Sequence, residues 1–426
     1  MISLSCYILA DTFFIANWIG AYGLAALNFA LPVFGAVFGV GLMLGIGGAT
    51  KYAILKSQGK TNEAYRVFTT TLCLMLGFAG VFVVGGFFFS GALAAAFGAY
   101  GHVHEMSQTY MQVILIASPI LMANSVLVCF IRNDGAPKLA MAAMVSTSLM
   151  NILLDYVFIY LLDMGMFGAA LATACAGVSG FVIIICYFLR GKSALCLARG
   201  FYALREIFAI GLPSLITEIS VGAVLVVFNI IIFGLSGNMG VAAYGVIANI
   251  LIVIISIYNG IAQGIQPLVS KYYGLGETTN AKIILRYALI LMGVISAVIY
   301  AGVYFFAYPI ASAFNSEQNA VLQNLAVSGM RIYFVGGIFA GFNIIVAMYF
   351  ASEERTRPAF IISILRGFVF ILPLVFLLSN IAGITGVWMT FPITEMIVCV
   401  IAVAFYRAKN RLNKTAASTY SATNIK

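Results

Sequence analysis

Residues 23–50 read GLAALNFALPVFGAVFGVGLMLGIGGAT, a run of 28 positions without a charged side chain. A helix needs about 20 predominantly apolar residues to cross the hydrocarbon of a bilayer, so this run is long enough to span. Its opening tetrapeptide, Gly23-Leu-Ala-Ala26, returns as Gly240-Val-Ala-Ala243, a shift of 217. The same shift pairs Gly47 with Gly264, Gly59 with Gly276 and Ala64 with Ala281, and a shift of 218 pairs Gly165-Met-Phe-Gly168 with Gly383-Ile-Thr-Gly386. Comparable apolar runs fall near 1–17, 66–97, 108–131, 139–162, 167–189 and 207–234, and then near 241–270, 283–309, 323–351, 359–380 and 385–406. The expected fold is an all-α integral membrane protein of twelve transmembrane helices in two pseudo-symmetric six-helix lobes. The lobes are placed at 1–195 and 196–410, followed by a tail at 411–426. Six is even, so both halves insert in the same orientation, as in transporters that hold a central site between parallel repeats. Ten residues precede Asp11, which is short for a span, so the first helix reads as truncated or as starting upstream.

Composition agrees. The chain is 63% apolar and 8% charged, where a soluble domain runs about 45–50% and about 25%. A mean hydropathy of +1.08 excludes a soluble enzyme, a disordered regulator and a secreted disulfide scaffold. Net charge is +9, and its position explains it. Twenty of the 22 basic residues fall in alternate connections and in the tail, among them Lys51, Lys56, Arg132, Lys192, Arg355 and Lys414. The intervening connections hold His102, His104, Glu105, Asp163 and Glu317 without Lys or Arg. Under the positive-inside rule both termini are cytoplasmic, in a multi-pass protein of the plasma (inner) membrane. The basic excess is therefore topological and no nucleic-acid partner is expected. The seven cysteines, Cys6 to Cys399, show no metal spacing and read as small buried apolar residues.

Six ionisable residues fall inside spans: Asp11, Asp155, Glu218, Glu395, Arg331 and Arg366. A charged side chain at mid-bilayer costs about 2.5–3.5 kcal/mol even on the mild insertion scale. Asn151 precedes Asp155 by one helical turn on the same face. Two carboxylates and an amide oxygen are suited to hold Na⁺ or to share a proton. Through the repeat, Asp11 aligns with Phe228 and Asp155 with Pro373, so the acidic pair exists in one half only and points to chemistry rather than packing. Glu218 follows Pro213 and is expected to face the space between lobes. Gln263 and Gln266 sit beside a Gly/Pro break, where backbone is tolerated against protein or a wet cavity. Glu395 reads either as a functional acid or as a charge reaching headgroups, while Arg331 and Arg366 read as snorkelling from helix ends. Gly59-Lys60-Thr61 and Gly191-Lys192-Ser193 lack the first glycine of a phosphate loop. No ATPase subunit or organic cofactor is implied, and no hydrolase motif marks an enzyme.

The motifs Asp-Thr-Phe-Phe-Ile with Gly-Leu-Ala-Ala-Leu at 11–27, Gly-Ile-Gly-Gly-Ala-Thr at 45–50 and Arg-Asn-Asp-Gly-Ala-Pro-Lys at 132–138 resemble the multidrug and toxic compound extrusion (MATE) family, nearest its MepA-like branch. Asn-Ile-Leu-Leu-Asp at 151–155, Gly-Ala-Ala-Leu-Ala-Thr at 168–173 and Gly-Ile-Gln-Pro at 264–267 extend the resemblance across both halves. It implies two lobes around a cleft, alternating access, and export of cationic amphipathic compounds in exchange for Na⁺ or H⁺. The family's cation site maps onto Asp11, Asn151, Asp155 and Thr173, and its seventh-helix acid onto Glu218. Gln263 and Gln266 join Glu218 as expected cavity residues. The rival is a lipid or lipid-linked oligosaccharide flippase of the wider superfamily, which would line its cavity with several basic residues. Here the charge at membrane depth is mainly acidic, suiting cationic cargo.

Overall fold

The computed structural model describes the backbone of residues 2–191, 193–315 and 319–423, and the side chains of 7–20, 22–191, 193–315 and 319–411. The side chains of Cys6, Lys192, Glu317, Lys414 and Lys426 lie outside the described residues.

Hydrocarbon offers a backbone no hydrogen bond, so a chain this apolar must satisfy its amides within each segment. Every regular element among the described residues is helical. α1 (Ile2–Phe14) continues through a π-turn at Ile15–Ile19, and α2 (Ala21–Ser57) and α3 (Thr61–Ala96) follow. α4 (Gly101–Ile116) and α5 (Ser118–Asn133) form one span bent by 53°. α6 (Pro137–Asp155) ends in a second π-turn at Tyr156–Leu161, and α7 (Gly165–Leu189) closes the first half. In the second half, α8 (Leu204–Gly274) breaks at Gly237, and α9 (Thr278–Phe314) follows. α10 (Ala320–Tyr333) and α11 (Gly336–Ser352) meet at 46°. α12 (Thr356–Ile364) passes through a third π-turn, Leu365–Val369, into α13 (Ile371–Thr423), which breaks at Gly383.

Seven helices are individually long and apolar enough to cross a membrane, and the two bent pairs make nine such spans among the described residues. The breaks at Gly237 and Gly383 each divide one of the seven, and α1 with its π-turn supplies the twelfth crossing.

The repeat is written into the backbone. Gly20 and Gly237 have φ of +85° and +57°, Gly59 and Gly276 both +78°, and Gly165 and Gly383 both +56°. Each pair turns a corner in the left-handed region that costs a side chain about 1–2 kcal/mol. At Gly23 and Gly240 an added Cβ would sit 2.5 Å from Ile19 and 2.6 Å from Ser236. The matching tetrapeptides thus mark the same tight corner twice.

Two apolar cores follow, one built from residues between Ile15 and Ile207, the other from residues between Ile210 and Ala402. The lobes meet where α2 crosses α8. A Cβ on Gly47 would strike the Ile207 carbonyl, one on Gly211 the Met43 carbonyl, and one on Gly274 the Ser57 hydroxyl. At this same basic-loop end, Lys51 Nζ pairs with Glu354 Oε1 at 2.6 Å. Gln266 Nε2 donates to Thr50 Oγ1 (2.8 Å) and Asn133 Nδ2 to Gln266 Oε1 (2.9 Å). The two lobes are therefore closed on each other at the end that carries the basic loops. The segment between them is tied to the first lobe: Asp134 Oδ2 accepts from Ser193 and Ala194, and Tyr202 N donates to Thr70 Oγ1.

The cysteines depart from expectation. Cys129 is buried, Cys175 and Cys399 are half-buried, and Cys73 and Cys186 are exposed on their spans, as is Cys196 in the linker. Lipid tails are as apolar as a helix interface, so a thiol in a span gains little by facing inward.

Gly211→Ala forces α2 and α8 apart and is expected to lower the stability of the purified protein by about 1–3 kcal/mol, read as a fall in melting temperature. Gly293→Ala, where a Cβ meets nothing within 4 Å, should leave it level or slightly higher. Equal melting of both variants would show that the contact yields.

Candidate functional site

α1 packs against α6, and this brings Asp11 within electrostatic range of Asp155. Both residues are buried, as are Asn151 and Thr173. Asp155 is the last residue before the π-turn of α6, and Asp11 stands one turn before that of α1. π-turns are often found at functional positions because they reaim side chains within a helix.

Asn151 Nδ2 donates to Thr173 Oγ1 at 3.3 Å, and Thr173 Oγ1 donates to the Ala169 carbonyl at 3.3 Å. That uses one amide N–H of Asn151 and the Thr173 hydroxyl. The acceptors are left over: Asp11 Oδ1, Asn151 Oδ1 and both carboxylate oxygens of Asp155 are buried with no hydrogen-bond partner among the described residues. Buried polar atoms are paired in the great majority of cases. Orphaned acceptors on neighbouring helices, two of them acids, form an oxygen-only set that fits a hard monovalent cation or a shared proton.

Two tyrosines complete the surroundings. Tyr7, one turn before Asp11 on α1, lies in electrostatic range of Asp11, Asp155 and Glu218. Tyr110 on α4 is buried near the same two aspartates and reaches Thr173. The i, i+4 spacing of Tyr7 and Asp11 was a readable signal. Nothing local to α4 announces Tyr110.

Tyr7, Asn151 and Thr173 also line a largely apolar cavity of about 800 Å³, open mouth included, with Phe34, Phe38 and Gln263. A second cavity of about 540 Å³ lies between the lobes and holds Glu218, Thr217, Asn259, Gln263 and Arg366. Gln263 belongs to both walls, and its Oε1 accepts from Arg132 Nη1 at 2.8 Å. Glu218 thus lines a different cavity from the one beside the aspartate cluster, and Tyr7 lies in electrostatic range of both. Gln266 lines neither of these cavities; it is buried in the inter-lobe contact with Thr50 and Asn133.

Arg366 corrects the sequence reading. It does not snorkel. Its Nη2 and Nε bond Glu395 Oε1 at 2.7 and 3.1 Å, and Asn343 Nδ2 holds Glu395 Oε2 at 2.7 Å. Glu395 is accordingly no headgroup-reaching charge, being almost fully buried. Arg331, by contrast, is exposed and lies over the Tyr304 ring.

Two parallel lobes with an acid-bearing cavity between them and an oxygen cluster at membrane depth define a multi-pass membrane transporter. The family model described as MatE matches residues 1–157 and 213–377, and the chain belongs to the MATE family of multidrug efflux transporters. It is 26% identical over 414 residues to the multidrug export protein MepA of Staphylococcus saprophyticus, covering 95% of this chain and 90% of that one. The MATE multidrug transporter DinF-BH, solved with a bound ligand, is 28% identical with a TM-score of 0.87, over 96% of this chain and 93% of that one. An outward-facing MATE transporter of the MOP superfamily shares the fold at a TM-score of 0.89 and 24% identity, over 97% and 93%.

Asp155→Asn removes an unpartnered buried charge, so the variant should fold with a melting temperature at or above the parent. Added Na⁺, or acidification, should stabilise the parent, by about 2.7 kcal/mol with the ion at about 100 times its Kd. The variant should lose that response. A parent indifferent to both ions would remove the aspartate cluster as an ion site.

Proposed function

We propose that the chain exports cationic amphipathic compounds across the plasma membrane in exchange for Na⁺ or H⁺, by alternating access. The observation that carries this reading is the orphaned oxygen set of Asp11, Asn151 and Asp155, with Tyr7 in electrostatic range of both it and Glu218, the acid of the inter-lobe cavity. Glu218, with Leu42, Ile46, Ile344 and Met348 in the same cavity, suits a cation with a greasy body. The ligand-bound structure of the multidrug transporter DinF-BH supports a small-molecule cargo.

Exchange follows from differential binding. Two neighbouring buried carboxylates are costly while both are charged, and a bound cation or proton removes that cost. Neutralisation lets α1 repack at its π-turn and alters Tyr7, which lines the first cavity and senses Glu218. Ion and cargo then favour opposite states, and their coupling is no larger than that difference in affinity. In this reading the basic-loop end is cytoplasmic, and closure there supports an outward-facing conformation.

The flippase reading is less favoured. Its cavity would offer several basic residues to phosphates, whereas the single arginine on this inter-lobe wall is already paired with Glu395.

In proteoliposomes carrying a fluorescent lipophilic cation, imposed Na⁺ and pH gradients applied separately should identify the ion that drives efflux. Asp155→Asn should abolish the gradient response, and Asn151→Ala should weaken it less because both carboxylates remain. Parental efflux by a folded Asp155→Asn protein would move coupling to Glu218. For orientation, single cysteines on a cysteine-free background at Ser57 should be shielded from an impermeant thiol reagent added outside, and at Gly101 labelled. The reverse pattern would overturn cytoplasmic termini.

A further inference from the structure

The inter-lobe cavity holds charges of both signs, and their arrangement is specific. Gly367, next to Arg366, packs so closely on α8 that an added Cβ would lie 2.7 Å from Ser220 Cβ. Ser220 is two residues from Glu218 on the same helix. The helical turn that carries the guanidinium is therefore docked on the turn that carries the free acid, and both side chains line one cavity. The two charges share that cavity without pairing with each other, and Glu218 lies on the α2 side of its helix, against Gly39. Instead, Arg366 spends Nε and Nη2 on Glu395, and Asn343 fixes that carboxylate through its other oxygen. Among the described residues no cation pairs with Glu218.

We infer that Glu395 is a specificity-determining residue of the cavity: it masks the charge of Arg366, so that Glu218 is left as the uncompensated charge and stays open to a cationic cargo. The charge count supports this. Glu218, Arg366 and Glu395 together leave one negative charge, which selects a monocation. Without Glu395 the cavity is neutral, with an unmasked guanidinium that offsets the charge of Glu218 or binds a carboxylate on the cargo. Specificity here comes partly from an interaction that blocks the wrong pairing, and a desolvated wall makes the charge balance count for more than it would in water. Glu395 itself touches no cargo; it positions Arg366. The third π-turn, Leu365–Val369, carries Arg366, which bonds Glu395.

This inference rests on the exporter reading and is tested by binding, without any gradient. The probes are a rhodamine methyl ester, a monocation, and the free-acid rhodamine of the same ring system, a zwitterion, titrated by fluorescence anisotropy into purified protein. Glu395→Gln keeps a hydrogen-bond acceptor for Arg366 but removes the mask. It should weaken the ester by at least about tenfold while the free acid binds as well as before or better. The double variant Arg366→Gln with Glu395→Gln removes both charges and should return ester binding to near the parental level. Glu218→Gln should weaken the ester in the parent background. Equal weakening of both dyes by Glu395→Gln, or no weakening of the ester, would overturn the masking role, as would a folded double variant that fails to recover the ester. An ester that binds the parent and the Glu218→Gln variant equally, or not at all, would instead sink the cargo reading on which this rests.

Discussion

A backbone in hydrocarbon has no partner but itself, and this constraint shapes the whole molecule. It makes every described element a helix, and it makes each departure from regular helix a place with a reason. The corners at Gly20 and Gly237, at Gly59 and Gly276, and at Gly165 and Gly383 are made by the residue for which the left-handed region is cheap. The three π-turns loosen the ladder at Ile15–Ile19, Tyr156–Leu161 and Leu365–Val369. Two of them adjoin the acids of the first lobe, and the third carries the arginine of the second.

The same solvent sets the terms for polar side chains. Where they are spent structurally a charged partner meets them: Asp134 collects Lys56, Tyr52, Ser193 and Ala194, and Glu353 pairs through Oε2 with the buried Lys409 while its Oε1 has no hydrogen bond among the described residues. Glu395 is bound on both oxygens by Arg366 and Asn343. The aspartate cluster is the contrast, with oxygens on α1 and α6 that no donor meets. Duplication copied the scaffold but not this charge. The position equivalent to Asp11 is Phe228, which is fully buried and stacked on Tyr244, and the position equivalent to Asp155 is the exposed Pro373. One lobe carries orphaned acids and the other a closed ion pair, so the pseudo-symmetric frame holds two different electrostatic designs.

Much of the candidate site was legible. Asn151 and Asp155 announce themselves because residues four apart share a helix face, and the cost of burying charge singles out Asp11 and Glu218. The convergence of Asp11 with Asp155 lies beyond local reading, since about 140 residues separate them and the packing of α1 on α6 brings them together. Tyr110 left no local trace. Arg366 was misread for the same reason: closeness to a helix end suggests snorkelling, whereas its partner stands 29 residues further on, across the bundle. Gln266 was legible as a polar residue at a break, but not as part of the inter-lobe contact. The cysteines went astray because burial within an apolar span depends on which face meets protein.

The sequence by itself determined the helical class, the twelve apolar runs, the twofold repeat and the one-sided distribution of basic residues. These follow from hydropathy, glycine geometry and order along the chain, quantities each segment carries alone. Only the tertiary structure decided which polar groups meet: Asp11 with Asp155, Arg366 with Glu395, Gln266 with Thr50, and Glu218 with no cation at all among the described residues. Helices of equal apolarity are interchangeable to lipid, so hydropathy cannot choose their neighbours. Close packing at small residues such as Gly47, Gly211 and Gly367 makes that choice, and it exists only once the helices are side by side.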